Sequence, residues 1–443
     1  MSWLKNILKK ETATSPQQIE GTSPLSCTQP IKTSSQTLKL TTLKKFAPLR
    51  DLEDQHVRSL PYTTQAFNED SILFIKGHQS KHIYYLLKGT VRIQPDSANY
   101  YEICSDQTRA HLPLDCGKNY AATATAQSKV LLLVISGELN QLWAQQSNDD
   151  VSYVELIDIH LPKELNDQRF FNSFIQAYRD NKLSLPSLPH VALKLKEAIA
   201  SDIGVSEAVD IISIDAPIVT KLIQIANSPV YAPVNSITNC HDAVTRLGLE
   251  TTRNLVLSIG LKQMFKCKDK QLKKGMQNLW KKSLHISCLS FVLASETKTI
   301  NPEDALLAGL VCDIGVIPLL HFAEQASDEH PQFKDLEIAI PYFKAPIGSL
   351  VLHTLGFPEE LSAIPHHAED WLYDGGDELT LTDIVILAKL HSLISTKDTK
   401  DLPYINSIPA YSKLSNGKLD PDFSLQILHK AQERINAAIS IFA

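Results

Sequence analysis

Histidine, cysteine and acidic residues in the second half of the chain could support metal-dependent chemistry. The stretch "LLAGLVCDIGVIPLL" places Cys312 directly before Asp313 within an apolar run. His285 precedes this run, and His366 and His367 follow it. Thiolate, imidazole and carboxylate groups can together bind a divalent ion that activates water for hydrolysis. A site built from His285, Cys312, Asp313 and His366 is therefore chemically conceivable.

The composition is that of a globular protein with more than one domain. The chain has 443 residues, of which 43% are hydrophobic and 21% are charged, and this length is too great for one compact core. Its formal net charge of -6 gives no overall attraction to nucleic acid. The seven cysteines include no CxxC pair, which argues against a zinc ribbon or a secreted disulfide framework. A reducing cytoplasm is the predicted location.

The sequence predicts no membrane-spanning helix, because Asp313 and Pro318 interrupt its most apolar stretch. The first ten residues, "MSWLKNILKK", combine apolar residues at helical spacing with lysines on other faces. This segment could dock on a membrane surface or an acidic partner, or it could remain a disordered tail. Residues 11–36 are rich in Ser, Thr, Pro and Gln, so residues 1–40 are predicted to be a short amphipathic segment followed by a disordered linker.

Residues 41–145 have the pattern of a small antiparallel β-domain. Short β-rich runs are separated by turns at Gly77 and Gly89, and the runs are residues 72–75, 83–87, 90–93 and 128–136. Repeated short strands with glycine turns are typical of a barrel or a double-sheet roll.

The run "SILFIKGHQSKHIYYLLKGTVRI" resembles the front half of a cyclic nucleotide-binding domain. In that family a Glu holds the ribose and an Arg neutralises the cyclic phosphate. The small-residue run "AATATA" is kept here, but the Arg position falls on Tyr120 and the Glu position near His111. Tyr120 supplies no fixed positive charge. Ordinary cyclic nucleotide binding is therefore the less favoured reading of the resemblance. The favoured ones are an altered site, in which His111, Lys118 and Arg109 bind another anion, and a structural and docking domain.

Residues 146–178 are predicted to be a connecting helical segment, and residues 179–443 a helical domain with further C-terminal helices. Pro189 leads into a helix with apolar residues at positions 191, 195 and 199. Asp215 is suited to cap a second helix that ends at Asn227. The later segments also have apolar residues at three- and four-residue spacing. The predicted fold is therefore a multidomain α+β chain, with an N-terminal antiparallel β-roll followed by an all-α domain.

The helical half resembles the HDOD domain, a helical relative of the HD phosphohydrolases found in bacterial signalling proteins. The matching phrases run in family order, and they are "LPSLPHVALKL", "IISIDAPIVTKLIQIANSPVY", "AVTRLGLETTRNLVLSIGL", "LWKKSLHISCLSFVLA", "AGLVCDIGVIPLL" and "IPHHAEDW". The resemblance implies a helical domain that takes part in the control of bacterial signalling, often near cyclic-di-GMP or two-component pathways.

Most metal-binding positions of the catalytic HD enzymes are changed in this chain. The first histidine maps to Lys282, the His-Asp pair to Cys312 and Asp313, and the late aspartate to about Lys389. Asp313 is thus the one family ligand that remains. The residual candidates are His285, His366 and His367, but consecutive helical residues point about 100° apart, so His366 and His367 cannot easily share one ion. Asp313 is expected to be hydrogen-bonded in the core, because an unpaired buried carboxylate is costly.

These changes lead to two main functional hypotheses. The first is a non-enzymatic bacterial signalling protein, in which the helical domain is a protein-interaction scaffold under a degenerate β-roll, with no metal or cofactor. The second is a divergent metal-dependent phosphohydrolase acting on nucleotides or cyclic dinucleotides. A third possibility is that the β-roll binds an unrecognised small ligand and switches the helical domain.

Overall fold

The computed structural model describes most of the chain between residues 26 and 414. The described residues are 26–34, 38–95, 100–137, 139, 143, 161–162, 165, 168–180, 182–185, 187–228, 231, 235–326, 331–394 and 402–414. The predicted amphipathic segment of residues 1–10, most of the predicted linker, much of the connecting segment and residues 415–443 lie outside them.

Eight strands in the first part of the chain form two four-stranded antiparallel sheets. The strands are β1 (Lys32–Ser34), β2 (Tyr62–Phe67), β3 (Ile72–Phe74), β4 (His82–Lys88), β5 (Thr90–Gln94), β6 (Tyr101–Cys104), β7 (Thr123–Ala126) and β8 (Val130–Ser136). The first sheet has the order β1-β2-β8-β4, and the second has the order β3-β7-β5-β6. This arrangement confirms the predicted antiparallel β-roll.

Alternating burial explains how the strands pack. In β5, Val91 and Ile93 are buried while their neighbours are partly or fully exposed, as expected when successive side chains point to opposite faces. Gly89 joins β4 to β5 with a φ of 96°, and a Cβ there would lie 2.6 Å from the carbonyl oxygen of Lys129. Only glycine fits this turn.

The β-roll begins earlier in the chain than the sequence indicated. Strand β1 (Lys32–Ser34) pairs with β2, although residues 1–40 had been assigned to a linker. The residues of β1 are polar and mostly exposed. A short polar edge strand of this kind has no hydrophobic alternation by which it could be recognised. Two short helices, α1 (Leu40–Leu43) and α2 (Asp54–Ser59), follow β1.

Helices make up the rest of the described chain. They are α3 (Arg169–Arg179), α4 (His190–Ala200), α5 (Val205–Ile212), α6 (Ala216–Ala226), α7 (Cys240–Leu247), α8 (Leu249–Leu261), α9 (Lys270–Thr297), α10 (Pro302–Val311), α11 (Val316–Gln325), α12 (Phe333–Thr354), α13 (Glu359–Ser362), α14 (Ile364–His367), α15 (Leu381–Ile394) and α16 (Pro409–Lys413). Their buried side chains form one contiguous core, which confirms the predicted helical domain.

Local sequence signals set several helix ends. Asp215 accepts a hydrogen bond from the backbone N–H of Ile218 at 3.0 Å, so it caps α6 as predicted. At the other end of α6, the Asn227 amide donates to the carbonyl oxygens of Ile223 and Ile237. Asn227 therefore has the structural capping role that its position indicated.

One stretch, Pro302–Gln325, has the length and apolar composition of a membrane span, contrary to the prediction that none exists. However, 89% of its most apolar window is buried inside the protein. It comprises two helices, α10 and α11, which the turn at residues 312–315 separates. Its apolar composition is accounted for by burial in the helical core.

Candidate functional site

Four charged side chains meet where the sequence placed a degenerate metal site. Asp313 lies in the turn between α10 and α11, Lys389 lies on α15, Lys344 lies on α12, and Glu369 follows α14. The ammonium of Lys389 is 2.6 Å from Asp313 Oδ1 and 3.0 Å from Glu369 Oε1. Lys344 also contacts Glu369 Oε1. We call these four residues the lysine–carboxylate cluster.

Lys389 is the central cation of the cluster. Its side chain is 3% exposed, compared with 14% for Asp313 and 38% for Glu369. Burial alone would lower the pKa of Lys389, but the charge of Asp313, followed by further negative charge that includes Glu369, raises this pKa above its ordinary value. Lys389 is thus held as a cation between two carboxylates, which is the electrostatic role a divalent metal would have there.

Glu369 stays ionised for the same reason. Burial would raise its pKa, but the charges of Lys389 and Lys344 outweigh this effect and lower the pKa of Glu369 to about 2. The cluster therefore pairs two carboxylate side chains with two lysine side chains. A divalent cation that entered this site would meet the Lys389 ammonium.

Cys312 is buried beside Asp313 at the end of α10. Its side chain is buried, and burial, with a further contribution from the charge of Asp313, raises the pKa of the thiol to about 12. Metal binding by cysteine requires the thiolate. The Cys312 thiol remains protonated near neutral pH and packs as a small apolar side chain.

The other sequence-predicted ligands do not complete a metal site. Lys282 is exposed on α9, and His285 is half-buried on the same helix, where burial lowers its pKa. The rings of His366 and His367 are nearly perpendicular, with centroids 5.3 Å apart. Among the residues that the structure describes, no three His, Cys, Asp or Glu side chains form a group that could hold a metal ion. His285, Cys312, Asp313 and His366 are thus not brought together as one ligand set.

His367 is expected to make the helical domain sensitive to acid. Burial, with a smaller contribution from His366, lowers the pKa of His367 to about 3 from its ordinary value of 6.5. Below pH 6.5 the unfolded chain binds a proton that the folded chain does not bind until the pH approaches 3, so stability falls as the pH falls through this window.

The size of this effect can be measured by urea denaturation between about pH 4 and about pH 7. His367 should contribute a slope of at most about 1.4 kcal/mol per pH unit to the free energy of unfolding. A His367→Gln variant should lack this contribution. Equal slopes in the variant and the wild type would contradict the assignment to His367.

A cavity of 290 Å³ lies beside the lysine–carboxylate cluster, at the boundary between the β-roll and the helical domain. The helical side contributes Lys344, His366 and Glu369, and the opposite side includes Leu112 and Trp143. This volume is near the lower limit for small-molecule sites. The cluster is thus open to a small space, and residues of the β-roll region help to form its walls.

Tyr120, which the sequence resemblance aligns with the phosphate-binding Arg of cyclic nucleotide-binding domains, lies in the aromatic core of the β-roll. Tyr120 is 6% exposed, its ring stacks on Phe74 with centroids 4.3 Å apart, and its hydroxyl donates to the carbonyl oxygen of His82 at 3.2 Å. The ring of His111 packs edge-on against Phe46 at 5.8 Å. The positions of the family's Arg and Glu are therefore used for packing.

The polar residues considered for another anion also have protein partners. Lys118 is 2.6 Å from Asp377 of the helical domain, and Arg109 donates to the carbonyl oxygen of Leu402 at 2.9 Å. The nearby Asp115 is 2% exposed and accepts backbone hydrogen bonds from Gly117 and Ala121. Although these bonds oppose the effect, burial raises the pKa of Asp115 to about 7. These contacts fix the conformation of the loop between β6 and β7.

Sequence reasoning missed Lys344 and Glu369 as members of the cluster, and it treated Lys389 as a lost ligand. The available signal was a charge reversal, since a lysine stands at the family's aspartate position while Asp313 is retained. A cation opposite a buried carboxylate is the expected means of compensating its charge.

The HDOD domain family matches residues 185–370. A protein of Treponema pallidum (strain Nichols), described as uncharacterized, is 25% identical over 159 residues, which are 35% of this chain and 30% of that protein. The chain therefore spans less than a third of the length of this curated relative.

Solved structures resemble each part of the fold. One is a protein of Shewanella amazonensis SB2B that is described as a proposed metal-dependent phosphohydrolase. The two chains are 22% identical, the match covers 62% of this chain and 98% of that chain, and the TM-score is 0.50. An HDOD domain protein with unknown function from Geobacter sulfurreducens has 18% identity, 60% and 96% coverage, and a TM-score of 0.49.

The β-roll is similar to a Geobacter metallireducens GS-15 protein whose description proposes cyclic nucleotide binding. The two are 14% identical, 26% of this chain and 86% of that chain are covered, and the TM-score is 0.22. At these identities the likenesses concern fold alone. The family match shows that the chain contains an HDOD domain at residues 185–370, and an antiparallel β-roll precedes this domain.

Proposed function

We propose that this protein is a non-enzymatic bacterial signalling protein that acts in the cytoplasm, in which the HDOD domain binds other signalling proteins under a degenerate sensor-like β-roll. The observation that carries the proposal is the position of Lys389. Its ammonium lies between Asp313 and Glu369 and compensates the charges that a catalytic metal would otherwise compensate. An ammonium in this position opposes the HD mechanism, in which a divalent ion activates water.

The β-roll supports the same conclusion independently. A stacked tyrosine occupies the position at which cyclic nucleotide-binding domains place a phosphate-binding arginine. The loss of a bidentate guanidinium removes the strongest contact to a cyclic phosphate. Both degenerate sites retain their packing, as a protein-interaction scaffold requires, and the net charge of -6 favours protein partners over nucleic acid.

The second candidate function is a divergent phosphohydrolase acting on nucleotides or cyclic dinucleotides. The cavity of 290 Å³ beside Glu369 favours it, because this space could admit part of a phosphate ester. The Shewanella amazonensis protein with a similar fold is itself described as a proposed metal-dependent phosphohydrolase. This candidate requires a metal ion that binds despite the ammonium of Lys389.

Metal stoichiometry separates the two candidates. The full-length protein is dialysed against a weak chelator, equilibrated with zinc or manganese, and measured by elemental mass spectrometry beside Asp313→Ala and Cys312→Ala variants. The scaffold predicts well under one ion per chain in all three proteins, because Lys389 already compensates Asp313. About one ion per chain that is lost in Asp313→Ala would overturn the scaffold and justify a screen of phosphodiesters.

A Lys389→Asp variant tests the reason for the expected result. It restores a carboxylate at the position of the family's late aspartate and removes the competing ammonium. It should therefore bind more zinc than the wild type does, if electrostatic competition by Lys389 excludes the metal. Equal, low occupancy in both proteins would show that Lys389 is not the cause of the weak binding.

A further inference from the structure

A segment near the end of the described chain connects the β-roll to the helical core. Residues 402–414, which we call the bridging segment, contain a short 3-10 turn at Ile405–Ser407 and helix α16 (Pro409–Lys413). The first part of the segment, with the sequence LPYINS at 402–407, lies against the second sheet and the degenerate nucleotide cassette of the β-roll.

Aromatic and guanidinium groups of the β-roll hold Tyr404. The rings of Tyr404 and Tyr101 stack with centroids 3.5 Å apart, and the guanidinium of Arg109 lies 3.9 Å from the centre of the Tyr404 ring. The Tyr101 hydroxyl also donates to Asn406 Oδ1 at 3.1 Å. Tyr404 thus combines ring stacking with a cation–π contact, an arrangement that recognises an aromatic side chain.

Backbone contacts fix the position of the segment. Arg109 Nε donates to the carbonyl oxygen of Leu402 at 2.9 Å, while the N–H and the thiol of Cys116 donate to the carbonyl oxygen of Ser407 at 3.2 Å and 2.7 Å. At Gly117 a Cβ would lie 2.9 Å from the Cβ of Ser412, so glycine permits the close approach. Main-chain hydrogen bonds together with a specific side-chain contact are the features of a peptide-binding surface.

We propose that this face of the β-roll is a peptide-binding surface whose ligand is the chain's own segment 402–407. It takes a short peptide with a central tyrosine, and no nucleotide. The proposal does not depend on whether the helical domain is catalytic, since it concerns only the face made by Tyr101, Arg109 and Cys116.

The other end of the bridging segment reaches the helix that carries Lys389. The ammonium of Lys413 lies 2.9 Å and 3.0 Å from the two carboxylate oxygens of Asp383, which is fully buried in the first turn of α15. Release of residues 402–407 from the β-roll would loosen the placement of Lys413 and hence the compensation of Asp383. Peptide binding by the β-roll is therefore coupled to the order of α15.

Two arginines of the β-roll provide a matched pair of variants in the full-length protein. Arg109 covers the Tyr404 ring of the bridging segment at 3.9 Å, whereas Arg92 covers the Tyr100 ring within the β-roll at 4.6 Å. Arg109→Ala removes the cation–π contact with Tyr404 and the hydrogen bond to Leu402, both of which hold the segment. Arg92→Ala removes a cation–π contact and an ion pair with Glu102, both of which lie within the β-roll. Tyr404→Ala removes the same cation–π contact from the segment side. It keeps the test valid if the Arg109→Ala protein does not fold.

The readouts are hydrogen exchange of residues 402–414 and 381–394 and the alkylation rate of Cys116, which is buried against Ser407. Exposed Cys27 serves as the internal reference. In Arg109→Ala and in Tyr404→Ala, the hydrogen-exchange rate of these residues and the alkylation rate of Cys116 should each rise by about tenfold, as the loss of a cation–π contact predicts. Arg92→Ala should match the wild type. The proposal is overturned if both Arg109→Ala and Tyr404→Ala keep wild-type rates, or if Arg92→Ala has the same effect as they do.

Addition of the ligand in trans tests recognition directly. A labelled synthetic peptide of residues 400–408 should bind the Tyr404→Ala protein, because the protein's own segment 402–407 binds the β-roll less tightly in this variant. It should bind at least about tenfold more weakly when Arg109→Ala is added. Equal binding to both proteins would show that this face does not recognise the peptide.

Discussion

Replacement of Lys389 by methionine is expected to lower the free energy of unfolding by about 3 kcal/mol, within the range of about 3–5 kcal/mol for breaking a buried ion pair. Asp313, whose side chain is 14% exposed, would lose the cation 2.6 Å away. Glu369 would keep its contact with Lys344, so the lower part of the range applies. Urea denaturation measures the change.

Two further variants show whether charge compensation is the cause. Lys282→Met removes an exposed lysine from α9 and should change stability by less than about 0.5 kcal/mol. In the double variant Lys389→Met/Asp313→Asn the partly buried carboxylate of Asp313 is also neutralised, and much of the lost stability should return. If Lys389→Met behaves like Lys282→Met, the lysine–carboxylate cluster does not stabilise the domain as described.

Replacement of Lys413 by methionine should cost about 3 kcal/mol, for a related reason in a second buried pair. Both carboxylate oxygens of Asp383 lie within 3.0 Å of the Lys413 ammonium, and Asp383 is fully buried. The backbone N–H and the hydroxyl of Thr380 continue to donate to Asp383 in the variant. These bonds keep the carboxylate partly satisfied, so the loss should not reach the upper end of the range.

The pair Lys118–Asp377 offers a control, because it is likewise a lysine–aspartate ion pair but is exposed. Its side chains are 61% and 77% exposed. Lys118→Met should therefore cost no more than about 1 kcal/mol. Thermal unfolding of the two methionine variants should rank Lys413→Met well below Lys118→Met. Equal midpoints would contradict the importance of burial at Asp383.

The parts of the fold that could be predicted are those set by neighbouring residues. Asp215 caps α6 through a bond to a residue three positions later, and Asn227 closes the same helix with a partner ten residues away. Alternation in β5 and glycine at position 89 are likewise local signals. Such patterns depend on backbone geometry that a short sequence already specifies.

The candidate site could be predicted only in part, because its contacts join distant residues. Asp313 and Lys389 are 76 positions apart, and their pairing depends on how α10 and α15 pack. The positions of Cys312 and Lys389 were predicted from the family pattern, but the pattern describes metal ligands and contains no lysine partner. Lys344 and Glu369 are not among these ligand positions, so the family pattern did not indicate them.

The contact between the β-roll and the bridging segment could not be predicted from the sequence either, because it also joins distant residues. Tyr101 and Asn406 are separated by 305 positions. Tyr404 stands in a proline-containing stretch that has no periodicity of its own. Only the folded chain shows that Tyr101 and Arg109 enclose this side chain.

In the proposed scaffold, a lysine as the central cation makes the charge balance of the lysine–carboxylate cluster independent of metal supply. A bound zinc or manganese ion is absent when metal is scarce and can exchange with a competing ion. Lys389 is part of the polypeptide, so every chain contains this cation. The raised pKa of Lys389 also keeps its charge constant across the physiological pH range. The domain should therefore reach the same folded state during metal starvation and metal excess, with no need for a metal-loading step after synthesis.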